Sequence, residues 1–107
     1  LSNINQIDLN NNYLVFSGIG NHGSFVDMLK RYKIQIFKDI EYPDHYKYKE
    51  NEIKNLIKLA DDKNLKLLTT EKDILRIETP YKEKIDYVNV SLNLKEELEL
   101  INKIKII

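Results

Sequence analysis

The 107-residue chain has no cysteine, which excludes an internal disulfide, a thiolate metal site and a cysteine nucleophile. Only two histidines remain as soft ligands, too few for a structural zinc site, and no metal ligand set is expected in this chain. Charge of one sign is also lacking. Seventeen basic side chains balance seventeen acidic ones, so there is no overall positive field of the kind that dominates nucleic-acid binding, and any cation that meets a phosphate acts locally. No apolar run approaches the roughly 20 residues of a membrane-spanning helix. What is present is a globular balance of 42% hydrophobic and 32% charged residues, enough for one core. The heavy use of lysine, isoleucine and asparagine reads as coding background. The first residues, Leu1 to Ile7, lack the basic-then-apolar pattern of a signal peptide and do not begin with methionine, so the expectation is one domain over 1–107, excised from a larger protein.

Hydrophobic patterning predicts alternating strands and helices. The short apolar run Tyr13-Leu14-Val15-Phe16 reads as a strand buried on both faces. The turn 17–23 follows, and Ser24 with Asp27 has capping-box spacing ahead of Phe25, Met28, Leu29 and Tyr32. Ile34, Ile36, Phe37 and Ile40 form a second strand that ends before Pro43. Ile53, Leu56, Ile57 and Ala60 then repeat at helical spacing, and Leu65, Leu67 and Leu68 make a third strand. Thr70 with Asp73 repeats the capping-box spacing, with Asp73 returning the bond, Pro80 breaks a loop, and residues 85–90 alternate weakly as a fourth strand. Asn93 and Glu96 cap a last helix. The fold class is therefore α/β: a small, mostly parallel sheet of about four strands with helices on both faces. Ligands of such sheets bind beyond the carboxyl ends of the strands, which singles out loops 17–23, 41–48 and 69–73.

Each loop carries a chemical signal beside a bland explanation. Gly18-x-Gly20-x-x-Gly23, with Asp39 about 20 residues on, has the spacing of a dinucleotide fingerprint, yet the same glycines serve any unusual strand-to-helix turn. Asp44-His45 pairs a carboxylate with an imidazole, as a general base requires, and is equally a solvated turn. Tyr42, Tyr46, Lys47, Tyr48 and Lys49 suit a sugar phosphate or an anionic headgroup layer, or simply rim packing. In Thr69-Thr70-Glu71-Lys72-Asp73 the cap accounts for Thr70, Glu71 and Asp73. Lys72 opposes the helix dipole and hints at a nearby anion.

Together the three loops resemble the carboxyl-terminal domain of the tetraacyldisaccharide 4'-kinase family. The resemblance rests on Phe16-Ser17-Gly18-Ile19-Gly20-Asn21 with Phe25, on Tyr42-Pro43-Asp44-His45-Tyr46-Lys47-Tyr48, and on Leu67-Leu68-Thr69-Thr70-Glu71-Lys72-Asp73. It covers about residues 13–77, and the Thr-Thr-Glu-Lys-Asp string is its most specific part. The family implies transfer of the ATP γ-phosphate to the 4'-hydroxyl of an acylated glucosamine disaccharide 1-phosphate, at the cytoplasmic face of the bacterial inner membrane. It also implies a separate amino-terminal domain with the P-loop, the Mg2+ ligands and a catalytic aspartate; no Gly-x-x-x-x-Gly-Lys-Ser/Thr occurs in this chain. By resemblance His45, with Asp44 beside it, is the histidine that pairs across the cleft with that aspartate. Gly18, Gly20, Asn21, Thr70, Glu71, Lys72 and Asp73 are the expected nucleotide-side residues. The family usually has alanine at the place of Gly20 and proline at His22, often a second histidine at Tyr46, and commonly a helix-capping threonine at Lys49. A free-standing nucleotide- or sugar-phosphate-binding module without catalysis is the alternative, and a purely structural interaction domain a third.

Overall fold

Leu14 and Phe16 point to one side of their strand and Tyr13 and Val15 to the other, and all four are fully buried, so helices must cover both faces. The computed structural model, which describes residues 7–89, provides them. Strands β1 (Asn12–Ser17), β2 (Gln35–Glu41), β3 (Lys66–Thr70) and β4 (Ile85–Val88) form one sheet in the order β2-β1-β3-β4. Every pairing is parallel. Helix α1 (His22–Arg31) places Phe25, Val26, Met28 and Leu29 against Tyr13, Val15, Leu68 and Val88. On the opposite face α2 (Glu50–Asp62) places Ile53, Leu56 and Ala60 against Leu14, Phe16 and Leu67. Two short helices, α3 (Glu71–Ile74) and α4 (Thr79–Lys82), connect β3 to β4.

Both long helices end in the Schellman pattern. The Ile34 N–H reaches Leu29 O and Lys33 N–H reaches Lys30 O; Leu65 N–H reaches Ala60 O and Asn64 N–H reaches Asp61 O. Glycine usually takes the left-handed position of such a cap, but here Lys33 (φ 64°) and Asn64 (φ 54°) do.

Three local expectations are corrected. Helix α1 begins at His22 with Asn21 as its N-cap, so Ser24 lies inside the helix and caps nothing. Pro80 sits in the first turn of α4, where its missing N–H costs no intrahelical bond, instead of breaking a loop. The Asp73 carboxylate does not return to the Thr70 backbone; it meets the Thr70 hydroxyl and the neighbouring loops. The strand over 85–90 is described to Val88, and the helix expected after Asn93 lies outside the described residues.

Strand β2 holds one residue more than its partner. Tyr13 pairs with Ile36 and Leu14 with Lys38, leaving Phe37 as a bulge. The extra residue reverses the alternation, so Ile36 faces the α1 side and Ile40 the α2 side. Phe37 itself is 58% exposed, with the Lys63 ammonium 5.6 Å from its ring centre.

Candidate functional site

Chain order explains where the loops meet. From the carboxyl end of β1 the chain turns toward β2, and from that of β3 it turns toward β4, so a crevice opens between Ser17 and Thr70. All three predicted loops converge there. Tyr42 N–H donates to Ser17 O at 2.8 Å, His45 N–H donates to Gly18 O at 2.9 Å, and Gly18 N–H donates to Asp73 Oδ1 at 3.0 Å.

The crevice is already filled by a carboxylate. Asp73, 0% exposed, accepts from Gly18 N–H, from the Tyr48 hydroxyl at 2.9 Å and from Arg76 Nη2 at 2.9 Å on one oxygen, and from the Thr70 hydroxyl at 2.6 Å on the other. Thr70 Oγ1 also caps α3 by accepting from Asp73 N–H at 3.1 Å. Four donors around a buried anion make this an internal substitute for the phosphate that such crevices often hold. The expectation that Gly18, Thr70 and Asp73 touch a nucleotide directly therefore meets an obstacle: their polar groups are spent on one another.

The glycines serve the same closure. A Cβ on Gly18 would stand 2.8 Å from Pro43 O, and Gly20 adopts φ +74° with the Asp44 carboxylate 3.4 Å from where its Cβ would be. An adjacent carboxylate makes a poor phosphate cradle. The dinucleotide reading fails on its acid as well, because Asp39 is engaged elsewhere. Its Oδ2 is 2.7 Å from His22 Nε2, while His22 Nδ1 is 2.6 Å from Ser17 Oγ. Since a carboxylate only accepts, Nε2 carries a proton, and in the neutral imidazole Nδ1 accepts from the serine hydroxyl. The order of groups is that of a nucleophilic triad, but Ser17 and His22 are buried, so the chain of bonds ties β1, α1 and β2 together without offering a nucleophile.

His45 is the opposite case. Its side chain is 83% exposed on the outer rim; Asp44 Oδ2 is 3.7 Å from Nε2, beyond hydrogen-bond range. At that distance the two groups form an ion-pair contact, and Asp44 acts on the imidazole through space. The backbone of His45 is unusual, with φ 59°. Unlike Lys33 and Asn64 it ends no helix. Asn21 and Lys72 are also exposed, and Glu71 is partly so; with Asp44 and His45 these are the predicted site side chains that solvent reaches.

Tyr42, Tyr46 and Tyr48 pack as a cluster at the edge of the α2-side core, with Tyr42 and Tyr46 stacked at 4.9 Å. This is the rim-packing reading. Tyr46 donates to Glu52 at 2.7 Å, and that bond, followed by the Lys49 N–H, holds the Glu52 carboxyl below its ordinary range. Glu52 supplies the one capping bond α2 has, because Lys49 at the N-cap has no acceptor. Burial, then the charge of Asp73, pushes the Tyr48 hydroxyl well above its usual value.

The residue that the sequence reading missed is Arg76. Its fork donates to Gly18 O, Tyr46 O and Asp73 Oδ1, and Nε donates to Lys72 O. A signal existed: Arg76 is one of only two arginines in a chain whose other basic residues are lysines. Lysine's point charge does not reproduce a planar set of donors. Among the described residues no group of three histidine or acidic side chains could hold a metal ion, and no helix is long and apolar enough to cross a membrane.

The sheet order and the loops gathered at its switch point define a small doubly wound α/β domain whose free polar groups lie on an open rim. The chain belongs to the tetraacyldisaccharide-1-P 4'-kinase family, whose model matches residues 2–105. It is 49% identical over 102 residues to a tetraacyldisaccharide 4'-kinase of Pelagibacter ubique, a match covering 95% of this chain and 32% of that relative. Proteins of the same name from Rickettsia akari and Rickettsia bellii are 43% and 44% identical over 72 residues, 67% of this chain and 22% of each relative. The chain thus spans about a third or less of the length of these relatives. No solved structure gives a significant match.

Proposed function

We propose that residues 1–107 are a single domain, the carboxyl-terminal half of a kinase that phosphorylates the 4'-hydroxyl of a tetraacyl glucosamine disaccharide 1-phosphate in lipid A biosynthesis. The observation that carries this reading is His45, 83% exposed on the rim of the switch point with the Asp44 carboxylate beside it, in a chain whose family is named for that reaction.

The residues present do not fit a triphosphate in the crevice, where Asp73 holds the Gly18 amide. ATP and Mg2+ belong to the amino-terminal P-loop domain, where they supply the phosphoryl group and neutralise its charge. The contribution of this chain is the other wall. His45 faces the catalytic aspartate across the cleft, and its imidazole takes up the hydroxyl proton or holds that aspartate in its basic form. Such a group is worth about 10²–10⁴ in rate. Asn21, Glu71 and Lys72 line the rim, with Lys72 free to meet an anion, while Gly18, Gly20, Thr70 and Asp73 keep the wall in shape. Because the base sits on a separate domain, reaction requires closure, which protects ATP from water. The protein would act at the cytoplasmic face of the inner membrane, held there by its remaining segments, and would use no nucleic acid.

The test is ATP-dependent phosphorylation of the disaccharide 1-phosphate by the full-length parent protein and by this chain alone. The proposal expects transfer by the former, and no transfer and little ATP affinity in the latter. Tight nucleotide binding by the chain alone would favour the stand-alone binding module instead.

A further inference from the structure

His45 occupies left-handed backbone space, which is strained for a non-glycine residue, and such a conformation persists only where neighbours enforce it. Part of that enforcement is local, since Tyr46 N–H donates to Pro43 O at 3.1 Å and closes a turn with His45 at its third position, and the rest comes from carbonyls that bind this turn to the glycine loop. Gly18 O accepts from His45 N–H at 2.9 Å and from Arg76 Nη2 at 3.2 Å, and Tyr46 O, one residue beyond His45, accepts from Arg76 Nη1 at 3.2 Å. The guanidinium therefore straddles the His45 backbone, and its own position is fixed by Asp73 at 2.9 Å. Asp73 is fully buried and Arg76 only 23% exposed, whereas the His45 side chain is 83% exposed with the Asp44 carboxylate 3.7 Å away, so a shielded pair anchors the backbone from which an exposed imidazole departs.

We propose that Arg76 is a positioning residue for His45, acting through the carbonyls of Gly18 and Tyr46 to fix the direction in which the imidazole leaves the rim. This rests on the proposed role of His45 in the cleft. Arg76 touches no reacting atom in that scheme. Its effect is geometric, and a misplacement of about an ångström at a reacting group costs on the order of 10²-fold in rate.

The experiment uses the full-length parent protein with Arg76→Lys, His45→Ala and the double variant. Arg76→Lys keeps a positive charge for the buried Asp73 carboxylate and loses the fork, so it avoids the unpaired buried charge that Arg76→Gln would leave. The expected result is a fall in kcat of about tenfold or more for Arg76→Lys, with KM for ATP and for the disaccharide within about twofold of wild type. Added to His45→Ala, the same substitution should change kcat by less than about twofold, because the group it positions is gone. An undiminished kcat, or a full independent loss in the His45→Ala background, overturns the proposal. Amide hydrogen exchange on the same proteins separates this from the role of His45. Arg76→Lys should accelerate exchange at His45 N–H while leaving Leu14 and Leu68 unchanged. If His45→Ala retains full activity but that acceleration is seen, the catalytic reading falls and the positioning stands. If the His45 amide is as protected as in wild type, the positioning falls.

Discussion

His22 Nε2 lies 2.7 Å from Asp39 Oδ2 because strand β2 carries an extra residue, Phe37. Without that bulge, alternation from Ile36 would turn Asp39 to the α2 side and Ile40 to the α1 side. With it, Asp39 pairs in register with Val15 and shares the face on which α1 begins, while Ile40 reaches the opposite core. One inserted residue thus serves both a polar contact and an apolar one.

The His22–Asp39 pair should behave as a coupled unit in denaturant unfolding. His22→Ala removes both bonds and leaves the buried Ser17 hydroxyl without its partner, at a cost of about 1–3 kcal/mol. Asp39, 45% exposed, can turn to water, so Asp39→Ala alone should cost less. A double-mutant cycle should show coupling of roughly 0.5 kcal/mol or more, and additive losses would contradict the contact.

The three glycines should rank in the order their surroundings dictate. Gly18→Ala forces a Cβ to 2.8 Å from a backbone oxygen and is expected to cost about 1–3 kcal/mol or displace the 43–46 loop. Gly20→Ala bears mainly its positive φ, about 1–2 kcal/mol. Gly23 lies in α1 with open space around it, so Gly23→Ala should raise stability by about 0.4–1 kcal/mol. Thermal or denaturant midpoints of the three variants check the order, and a stabilising Gly18→Ala would refute the close packing of loops 17–23 and 41–48.

Tyr48 makes the fold sensitive to alkali. Its folded pKa is raised above the unfolded value of about 10, so the neutral form is favoured in the native state. The associated stability is complete below about pH 10 and is lost as pH rises beyond it, where the unfolded chain releases the proton first. Tyr13 and Tyr42 are raised by burial in the same direction. Unfolding free energy measured between pH 8 and 11 should decline from about pH 10. Tyr48→Phe should flatten that decline while costing about 1.5–3 kcal/mol at neutral pH, because Asp73 loses a donor. An unchanged alkaline slope would contradict the assignment.

Local signals carried the architecture. The apolar run 13–16, the spacing of Ile53, Leu56 and Ala60, and the Thr70 cap located strands and helices where they stand, since each depends on residues close in sequence. The start of α1 was misread because Ser24 and Asp27 satisfy a local rule, whereas His22 is drawn into the helix by Ser17 and Asp39, partners from two different strands. The Phe37 bulge left no trace in the pattern, as register is settled between strands rather than within one. At the site, His45 and the three loops were legible as motifs. That Asp73 closes the crevice and that Arg76 grips two loops depends on contacts spanning 55, 30 and 58 residues, which no local spacing encodes.

In the proposed reaction His45 serves phosphoryl transfer from a wall built by this chain. The most direct test of that role is turnover of the disaccharide 1-phosphate by the full-length parent protein, wild type against His45→Ala, with native folding of the variant verified. A fall of about 10²-fold or more in kcat with ATP affinity unchanged is expected. Turnover equal to wild type would contradict it and leave the Asp44-His45 loop a structural turn.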